Sequence, residues 1–368
     1  MQFSNRNFSV LFYLFMFINV FCKSINLYNN SIFYKILFFL GLIFICIKII
    51  NEKYRVKELL LCLLLIILSF LTFYVTRRPT LFISVLAIVG VKNIDLKKLF
   101  KPMLNIKLIC FFIMVFLSFM GLIGNDILVT TRDGVDVVRY SLGYGHPNTL
   151  QLMAFTITSL ILYLNKKKLS NVLMFFLLLF NGFVFIFSQS RTGFLCSLLL
   201  IFLFYFINYL SSYKNFIRKF SIFILFFSII FSFGTAKLYG EVPIINEINV
   251  RFSHRIAYAN YYLNNYGFSL FGHPNVENDN KASFDNGFIF MYIQYGFIGL
   301  IIILFLLLKI CFSSEYNKDI KLPILMIVYS LYFIEESFIC NIFLNNLLLF
   351  AGDYIFDRND IDKEGMVL

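Results

Sequence analysis

Uninterrupted apolar runs recur along the whole chain and constrain its fold more than any other feature. Each is about 17–20 residues long, the length that a helix needs to cross the hydrocarbon core of a bilayer. Of the 368 residues, 60% are hydrophobic and 14% are charged, against about 45–50% and about 25% in an average soluble domain. Spanning segments must satisfy their own backbone hydrogen bonds, and continuous rather than alternating runs exclude a barrel. The sequence therefore predicts an all-α, polytopic integral membrane protein.

The apolar runs predict about 11–12 transmembrane helices in a single membrane domain over residues 1–368. No small-residue cleavage site follows the first run, so we interpret it as a retained helix rather than a signal peptide. Polar segments at 125–147 and 237–286 are interpreted as loops, the second containing an amphipathic helix, and 357–368 as a charged tail. The predicted helices are 8–22, 31–50, 59–75, 80–91, 107–124, 148–164, 171–188, 193–210, 221–236, 287–308, 322–334 and 338–354, the last two alternatively forming one long helix.

Lysine-rich and lysine-poor loops alternate along the chain and predict its orientation. By the positive-inside rule the five lysine-rich loops and the tail 357–368 are cytoplasmic, and the loops 125–147 and 237–286 face outward. Seven of the eleven arginines and all three histidines then lie on the outer side. Because the guanidinium fork binds phosphate and carboxylate in a bidentate manner, this sorting favours an anionic ligand outside the membrane. Binding of lipid headgroups is the alternative.

The same counts disfavour several other functions. The net charge of +12 would suggest nucleic acid in a soluble protein, but here the lysines follow the membrane orientation, so we expect no nucleic-acid partner. The seven cysteines lie in or beside apolar runs without a CxxC or zinc spacing, so we expect no metal site. Asp360-Ile361-Asp362 matches a short metal-binding pattern, but it lies in the predicted tail and is discounted. The chain has no P-loop, and we expect no cofactor.

The tetrapeptide Gly-His-Pro-Asn occurs twice, at 145–148 and at 272–275. Glycine and proline shape the turn, and a histidine held beside such a turn can accept or donate a proton near neutral pH. His146 and His273 are therefore candidate catalytic residues, and Asn148 is a candidate helix cap or substrate contact. The alternative is a turn motif in which each histidine only bonds to the backbone.

The segment "NVRFSHRIAYANYYLN", 249–264, predicts one amphipathic helix inside the long loop. At about 100° per residue, a basic and aromatic face lies beside a separate apolar stripe. Arginine binds phosphate and tyrosine stacks on sugar rings, so this face is a candidate substrate site; an interfacial anchor is the alternative. The face consists of Arg251, His254, Arg255, Tyr258 and Tyr262.

Three more polar positions adjoin apolar segments. Arg191 lies in a tight turn, "FSQSRTGFL", near the hydrocarbon boundary, where it either faces a cavity or extends to the interface. Asp285 precedes Asn286 at the start of a helix, as an N-cap or as a general base for an acceptor hydroxyl. Glu335-Glu336 form a turn between the last two helices or face a polar cavity from one long helix.

These motifs together resemble the bacterial O-antigen polymerase (Wzy) and O-antigen ligase superfamily, in the form found in capsule and exopolysaccharide clusters. The resemblance covers roughly 125–310, and its specificity comes from the order and spacing of short motifs. Beyond the multi-helix chain, it rests on "GYGHPNTL" entering a helix, "SQSRTGFL" starting another, and "RFSHRIAYANYYLNNYGFSLFGHP" followed by "FDNGFIFMYIQYGFIGL".

The resemblance implies a glycosyltransferase with its active site on the outer face of the bacterial cytoplasmic membrane. The donor would be a glycan on undecaprenyl diphosphate and the acceptor a hydroxyl of a second lipid-linked repeat unit, without nucleotide sugar, metal or cofactor. A flippase and a chain-length regulator are candidate protein partners, beside the membrane lipid itself. Alternatives are an O-antigen-type ligase and a lipid-linked oligosaccharide flippase or transporter, which predicts charged residues near mid-membrane.

By the same resemblance, arginines would bind the diphosphate and stabilise the charge of the leaving group. The base stays open among Asp285, His146 and His273. Ligases of the superfamily usually have His-Asn where this chain has Asp285-Asn286, a difference that favours a polymerase. The diphosphate ligands would be Arg191, Arg251 and Arg255, with Arg191 counted as catalytic, and the further substrate contacts Arg139, His254, Tyr258, Tyr262, Asn148 and Asn286.

Overall fold

The computed structural model describes residues 6–27, 31–132, 135–165, 169–274, 276, 284–313 and 319–356. With 74% helix and 4% strand, it confirms the mostly helical class. The predicted tail 357–368, with its Asp360-Ile361-Asp362 match, lies outside the described residues. In chain order the elements are α1 (Arg6–Ser24), α2 (Ile32–Ile50), α3 (Val56–Thr76), α4 (Thr80–Gly90), α5 (Leu96–Phe119), β1 (Ile127–Arg132), β2 (Val135–Tyr140), α6 (Pro147–Leu164), α7 (Asn171–Ser188), α8 (Arg191–Tyr205), α9 (Ile207–Ser211), α10 (Lys214–Leu238), α11 (Pro243–Arg251), α12 (Arg255–Tyr266), α13 (Gly287–Gln294), α14 (Gly296–Cys311), α15 (Lys321–Tyr332), the 3-10 turns Phe338–Cys340 and Asn346–Phe350, and α16 (Ala351–Ile355).

Six of the described helices have the length and hydropathy to cross a membrane: α2, α3, α5, α6, α7 and α10. Five further apolar helices are shorter: α1 from Phe8 onward, α4, α8, α14 and α15. The membrane-protein class therefore follows from the described helices, whereas the sequence predicted about 11–12 spans.

Packing divides the chain into two compact units, the first formed by 1–52 and 93–213 and the second by 53–92 and 214–368. In the first unit α6 is the central helix, 83% buried and in contact with α5, α7 and α8. The polar side chains of α6 therefore lie in the interior rather than in lipid.

In the second unit, an apolar cluster holds α12 against α10 and α13. Ala259 and Tyr262 of α12 pack with Ala236 of α10 and with Ile289 and Ile293 of α13. Tyr262 is 1% exposed, and its ring stacks on Phe284 at a centroid distance of 3.9 Å. The ring predicted to face a sugar is thus part of the core that positions α12.

The predicted loop 125–147 contains an antiparallel hairpin, so the chain is not entirely helical. β1 pairs with β2 from Ile127 opposite Tyr140 to Arg132 opposite Val135. The sequence did carry a signal for it, because Asp-Gly at 133–134 between two β-branched runs is typical of a two-residue hairpin turn.

The fifth helix begins at Leu96 rather than at the predicted 107, and it ends at Phe119 rather than at 124. Asp95 caps it, its Oδ1 accepting from the amides of Lys97 and Lys98 at 3.0 and 3.2 Å. The lysine-rich segment that the sequence suggested as a loop is therefore the first turns of α5, and Lys107 lies in the middle of the helix.

The predicted helix 287–308 is broken at Tyr295, between α13 and α14. Gly296 has a φ of +74°, and a Cβ there would lie 2.3 Å from the backbone nitrogen of Gly272. The 269–272 segment binds in the break, where Phe297 and Ile298 donate backbone hydrogen bonds to Ser269 and Leu270. Tertiary packing, rather than local propensity, therefore interrupts this apolar run.

Three other predicted helices also differ. The segment 249–264 forms two helices, α11 and α12, because Ser253 and His254 have left-handed φ angles of +51° and +64°. The run 193–210 breaks at Phe206 into α8 and α9. In place of the predicted helix 338–354, the chain forms two 3-10 turns and then the short helix α16. Glu335-Glu336 come after the end of α15.

Candidate functional site

Arg255, the first residue of α12, contacts three carboxylates in the second unit, and we call these four residues the Arg255 cluster. Its Nε lies 3.3 Å from Asp285 Oδ2, one terminal nitrogen lies 3.1 Å from Glu335 Oε2, and the other lies 3.3 Å from Glu336 Oε1. The nitrogen facing the Glu335 carboxylate also donates to the Glu335 carbonyl oxygen. Each guanidinium nitrogen therefore has its own carboxylate.

The turn before α12 orients Arg255. Asn249, which is 2% exposed, accepts a hydrogen bond from the amide of Ala257 at 3.0 Å and lies 3.3 Å from His254 Nδ1. These contacts join the last turn of α11 to the first turn of α12. His254, predicted to contact substrate, is exposed and belongs to this turn.

Asn286, not Asp285, is the cap of α13. Asn286 Oδ1 accepts from the amides of Phe288 and Ile289, each at 3.1 Å, and its Nδ2 donates to Ser232 Oγ of α10 at 2.9 Å. The amide group predicted as a substrate contact thus holds α13 on α10. The Asp285 carboxylate, which the capping interpretation would have placed on backbone amides, pairs with Arg255 instead.

The segment that carries the two glutamates is fixed against the start of α13. The Gly287 amide donates to the Phe333 carbonyl at 2.8 Å, and a Cβ on Gly287 would lie 2.8 Å from the Glu336 carbonyl oxygen. The Glu336 amide in turn donates to the Tyr332 carbonyl at 3.0 Å. Contacts of the backbone, and not of the Glu336 side chain, therefore hold Glu336 beside the start of α13.

The Arg255 cluster carries one positive and three negative formal charges. Burial raises the pKa of Glu336 to about 7; Arg255 opposes this shift, and Asp285 and Glu335 add to it. For Arg255 burial lowers the pKa, but Glu336, Asp285 and Glu335 outweigh burial and raise it above its ordinary value. Arg255 therefore stays protonated, and Glu336 exchanges its proton near neutral pH.

A second group of polar residues surrounds Arg139 in the first unit. Arg139 is 5% exposed; its Nε donates to the Ser188 carbonyl at 2.9 Å, and a terminal nitrogen donates to Asn148 Oδ1. Ser188 Oγ donates to Gln151 Oε1 at 3.1 Å and accepts from the Ser190 amide at 3.2 Å. This Arg139 cluster (Arg139, Asn148, Gln151, Ser188 and Ser190) joins the hairpin to the first turn of α6 and to the end of α7, just before α8.

The two copies of Gly-His-Pro-Asn have different environments. His146 is the N-cap of α6, and its Nδ1 accepts from the Asn148 amide at 3.1 Å. His273 lies beside the break after α13, where its amide donates to the Ile293 carbonyl at 3.1 Å. Gly272 needs its φ of +93° there, since a Cβ would lie 2.2 Å from the Gln294 carbonyl oxygen. The described parts of the two copies lie in different units, and only the ring of His146 has a described hydrogen bond to the backbone.

The remaining predicted residues are not brought into the Arg255 cluster. Arg191 is the exposed first residue of α8 in the first unit, and Arg251 is exposed at the end of α11. Tyr258 is half-buried on α12. Within the described residues, no group of three or more His, Cys, Asp or Glu side chains is placed to hold a metal ion.

Two features were missed at the sequence level. Sequence reasoning placed Glu335-Glu336 in a turn but not beside Arg255, because the contact joins residues about 80 positions apart. Lys107 is 1% exposed in the middle of α5 and donates to Thr156 Oγ1 of α6 at 3.2 Å. Asp95 is a typical helix cap, and a helix that begins after it would have placed Lys107 in mid-helix.

No known protein family, curated protein or solved structure matches the chain. Inferences about function therefore rest on the motifs and on the geometry of the two clusters.

Proposed function

We propose that the protein polymerises oligosaccharide repeat units carried on undecaprenyl diphosphate, on the outer face of the bacterial cytoplasmic membrane. The product would be capsular polysaccharide, exopolysaccharide or O-antigen. The observation that carries the proposal is the ion pair between Arg255 and Asp285. These residues belong to separate motifs of the resemblance, and the fold brings them into contact. A cationic group and a proton acceptor in one partly enclosed cluster suit glycosyl transfer to a hydroxyl.

In this reaction the acceptor oxygen bonds to the anomeric carbon of the donor glycan. The bond from that carbon to the diphosphate oxygen breaks, and undecaprenyl diphosphate leaves with the electron pair. The acceptor proton passes to a base. Among the predicted bases, Asp285 directs its carboxylate into the Arg255 cluster, whereas His146 uses Nδ1 to cap α6.

The charged partners of Arg255 change the role that the resemblance implies for this arginine. Three carboxylates neutralise Arg255, which makes it a poor ligand for a diphosphate carrying further negative charge. The described hydrogen-bond acceptors of Arg139 are neutral oxygens, which orient its guanidinium. We therefore assign proton transfer to the Arg255 cluster; Arg191 and Arg251 stay the arginines that the resemblance implies for the diphosphate.

The direct test is reconstitution of the purified protein with lipid-linked repeat units, without nucleotide sugar or metal ions. We expect a ladder of longer lipid-linked glycans on electrophoresis. A product attached only to a different added acceptor would indicate a ligase instead. Absence of any new glycosidic bond would overturn the proposal.

Arg191→Lys tests the predicted diphosphate ligand. Lysine keeps the charge but loses the bidentate fork, so we expect a loss of turnover of about 10²-fold with normal protein yield. Arg55→Lys is the matched control, because Arg55 is an exposed arginine on the predicted cytoplasmic side. Full activity of Arg191→Lys would remove this residue from the site.

One observation favours a second candidate function, a transporter of lipid-linked oligosaccharide. An ionisable side chain buried within a membrane-spanning helix is a marker of a transport pathway, and Lys107 is such a residue. Transfer of labelled lipid-linked units across a vesicle membrane without elongation would support this function over polymerisation.

A further inference from the structure

The Arg255 cluster contains more carboxylates than its single cation can balance. Asp285, Glu335 and Glu336 each occupy a different guanidinium nitrogen, which leaves a formal charge of −2 in a largely enclosed site. A charge excess of this kind is relieved when one carboxylate holds a proton. The cluster is therefore built to take up and release a proton, beyond holding α12 in place.

Geometry separates the three carboxylates. Glu335 binds one guanidinium nitrogen through both its carbonyl and its carboxylate oxygens, so it is the firmest anchor of Arg255. Asp285 is the most exposed, at 28% of its side chain, against 13% for Glu336. Glu336 makes one contact to Arg255 at 3.3 Å, and its backbone is fixed against Gly287 and Tyr332.

Three charged groups among the described residues act on the Glu336 carboxylate. Arg255 comes from α12, Asp285 from the segment before α13, and Glu335 from its own segment. Burial and the two carboxylates favour the protonated form of Glu336 and raise its pKa to about 7, whereas Arg255 favours the ionised form. Near neutral pH both forms are populated, as a general base requires.

We infer that Glu336 is the base that accepts the proton of the acceptor hydroxyl, with Arg255 as the positioning residue that holds it. This inference rests on the proposed polymerase function. The acceptor O–H bond breaks as its oxygen bonds to the anomeric carbon, and the proton moves to the Glu336 carboxylate. The diphosphate oxygen leaves with the electrons of the broken glycosidic bond, and Glu336 then releases its proton to water. No metal, oxidant or other reactant is needed.

The test compares elongation rates across pH for the wild type and four variants. For the wild type we expect log turnover to rise with pH and level off above about pH 7, because only ionised Glu336 accepts a proton. Glu336→Gln should lower turnover by about 10²-fold or more and abolish this inflection. Glu336→Asp should restore part of the rate with a displaced inflection. Glu335→Gln should keep the inflection at a reduced rate, and the exposed Glu247→Gln should match the wild type.

A second measurement needs no substrate. The folded protein raises the pKa of Glu336 above the ordinary glutamate value of about 4.3, so the stabilisation from its proton is complete below that value and is lost as pH rises through about 7. Glutamine stays neutral and avoids this loss. The melting temperature of Glu336→Gln relative to the wild type should therefore increase between about pH 4 and pH 7 and stay constant above. Glu247→Gln should show no such trend.

The outcomes separate the two proposals. A wild type that forms no ladder overturns the polymerase function and the role of Glu336 with it. A wild type that elongates, with Glu336→Gln elongating at the same rate and with the same inflection, overturns only the role of Glu336. If Glu336→Gln cannot be purified, Glu336→Asp with an unchanged rate and inflection overturns that role equally.

Discussion

Arg139 in the first unit and Arg255 in the second are both enclosed arginines, but their partners differ in charge. The described hydrogen bonds of Arg139 go to a carbonyl and a side-chain amide, which are neutral. Arg255 contacts three carboxylates. The described neutral acceptors orient the guanidinium of Arg139, whereas an excess of carboxylates would make Arg255 the counter-ion of the proposed proton site. Residue type alone therefore does not assign a role to an arginine on this protein.

The largest effect that this contrast predicts is that of Arg255→Gln. The substitution leaves three carboxylates without their cation, and breaking a buried ion pair from one side costs about 3–5 kcal/mol. We expect a large loss of thermal stability, and the loss should shrink as pH falls and the carboxylates become protonated. Melting curves of the purified variant across pH measure this directly.

Arg251→Gln provides the control for that experiment. Arg251 is exposed at the end of α11, so its loss should change stability by no more than about 0.5 kcal/mol at any pH. An Arg255→Gln variant as stable as Arg251→Gln at neutral pH would show that the three carboxylates do not depend on Arg255.

A smaller effect is expected from Arg139→Lys. One ammonium group cannot reproduce the separate bonds to Ser188 and Asn148, so the hairpin should be held less firmly, by about 1–3 kcal/mol. Because both described acceptors are neutral, the contribution of these two bonds should not vary with pH as the Arg255 contacts do. Thermal melts at several pH values and the elongation rate check both expectations.

Arg132→Lys is the matched substitution on the same hairpin. Arg132 donates a single described hydrogen bond to a backbone oxygen, that of Gln189 at 2.9 Å, so its replacement should cost less than that of Arg139. An equal loss of stability in the two variants would mean that the two described bonds of Arg139 contribute no more than the single described bond of Arg132.

The sequence predicted the helical class well, because long apolar runs depend on composition and not on tertiary contacts. The starts of α6 and α7 were also predicted to within a residue, since Pro147 and the Ser170 cap are local signals. The break at Tyr295 was not predictable in the same way. It exists because the 269–272 segment binds there, and a local pattern does not reveal which segment packs against a helix.

The candidate sites show the same division. Arg255 and Asp285 were both singled out from motifs, but their contact with Glu335 and Glu336 required the fold. Tyr262 was assigned to a polar face with Arg255 and Tyr258, but packing of α12 on α10 and α13 buries its ring. The left-handed turn at Ser253 and His254 resets the helical phase, so Arg251 no longer shares a face with Tyr262, which is buried.

The smallest expected effect separates the polymerase from the transporter, and it concerns Lys107. Lys107→Met removes a buried amine but keeps an unbranched chain of similar volume, and replacing a buried charged group by a hydrophobic one is often neutral or stabilising. Thr156 Oγ1, the described acceptor of Lys107, keeps its own hydrogen bond to the Met153 carbonyl at 3.0 Å. A polymerase that uses the Arg255 cluster for proton transfer should therefore elongate at close to the wild-type rate in this variant. Ile109→Met, an exposed substitution on the same helix, is the control. Loss of activity in Lys107→Met, with a normal melting temperature and a fully active Ile109→Met, would show that function depends on the buried amine. That result would favour the transporter, and the Arg255 cluster would no longer account for the activity.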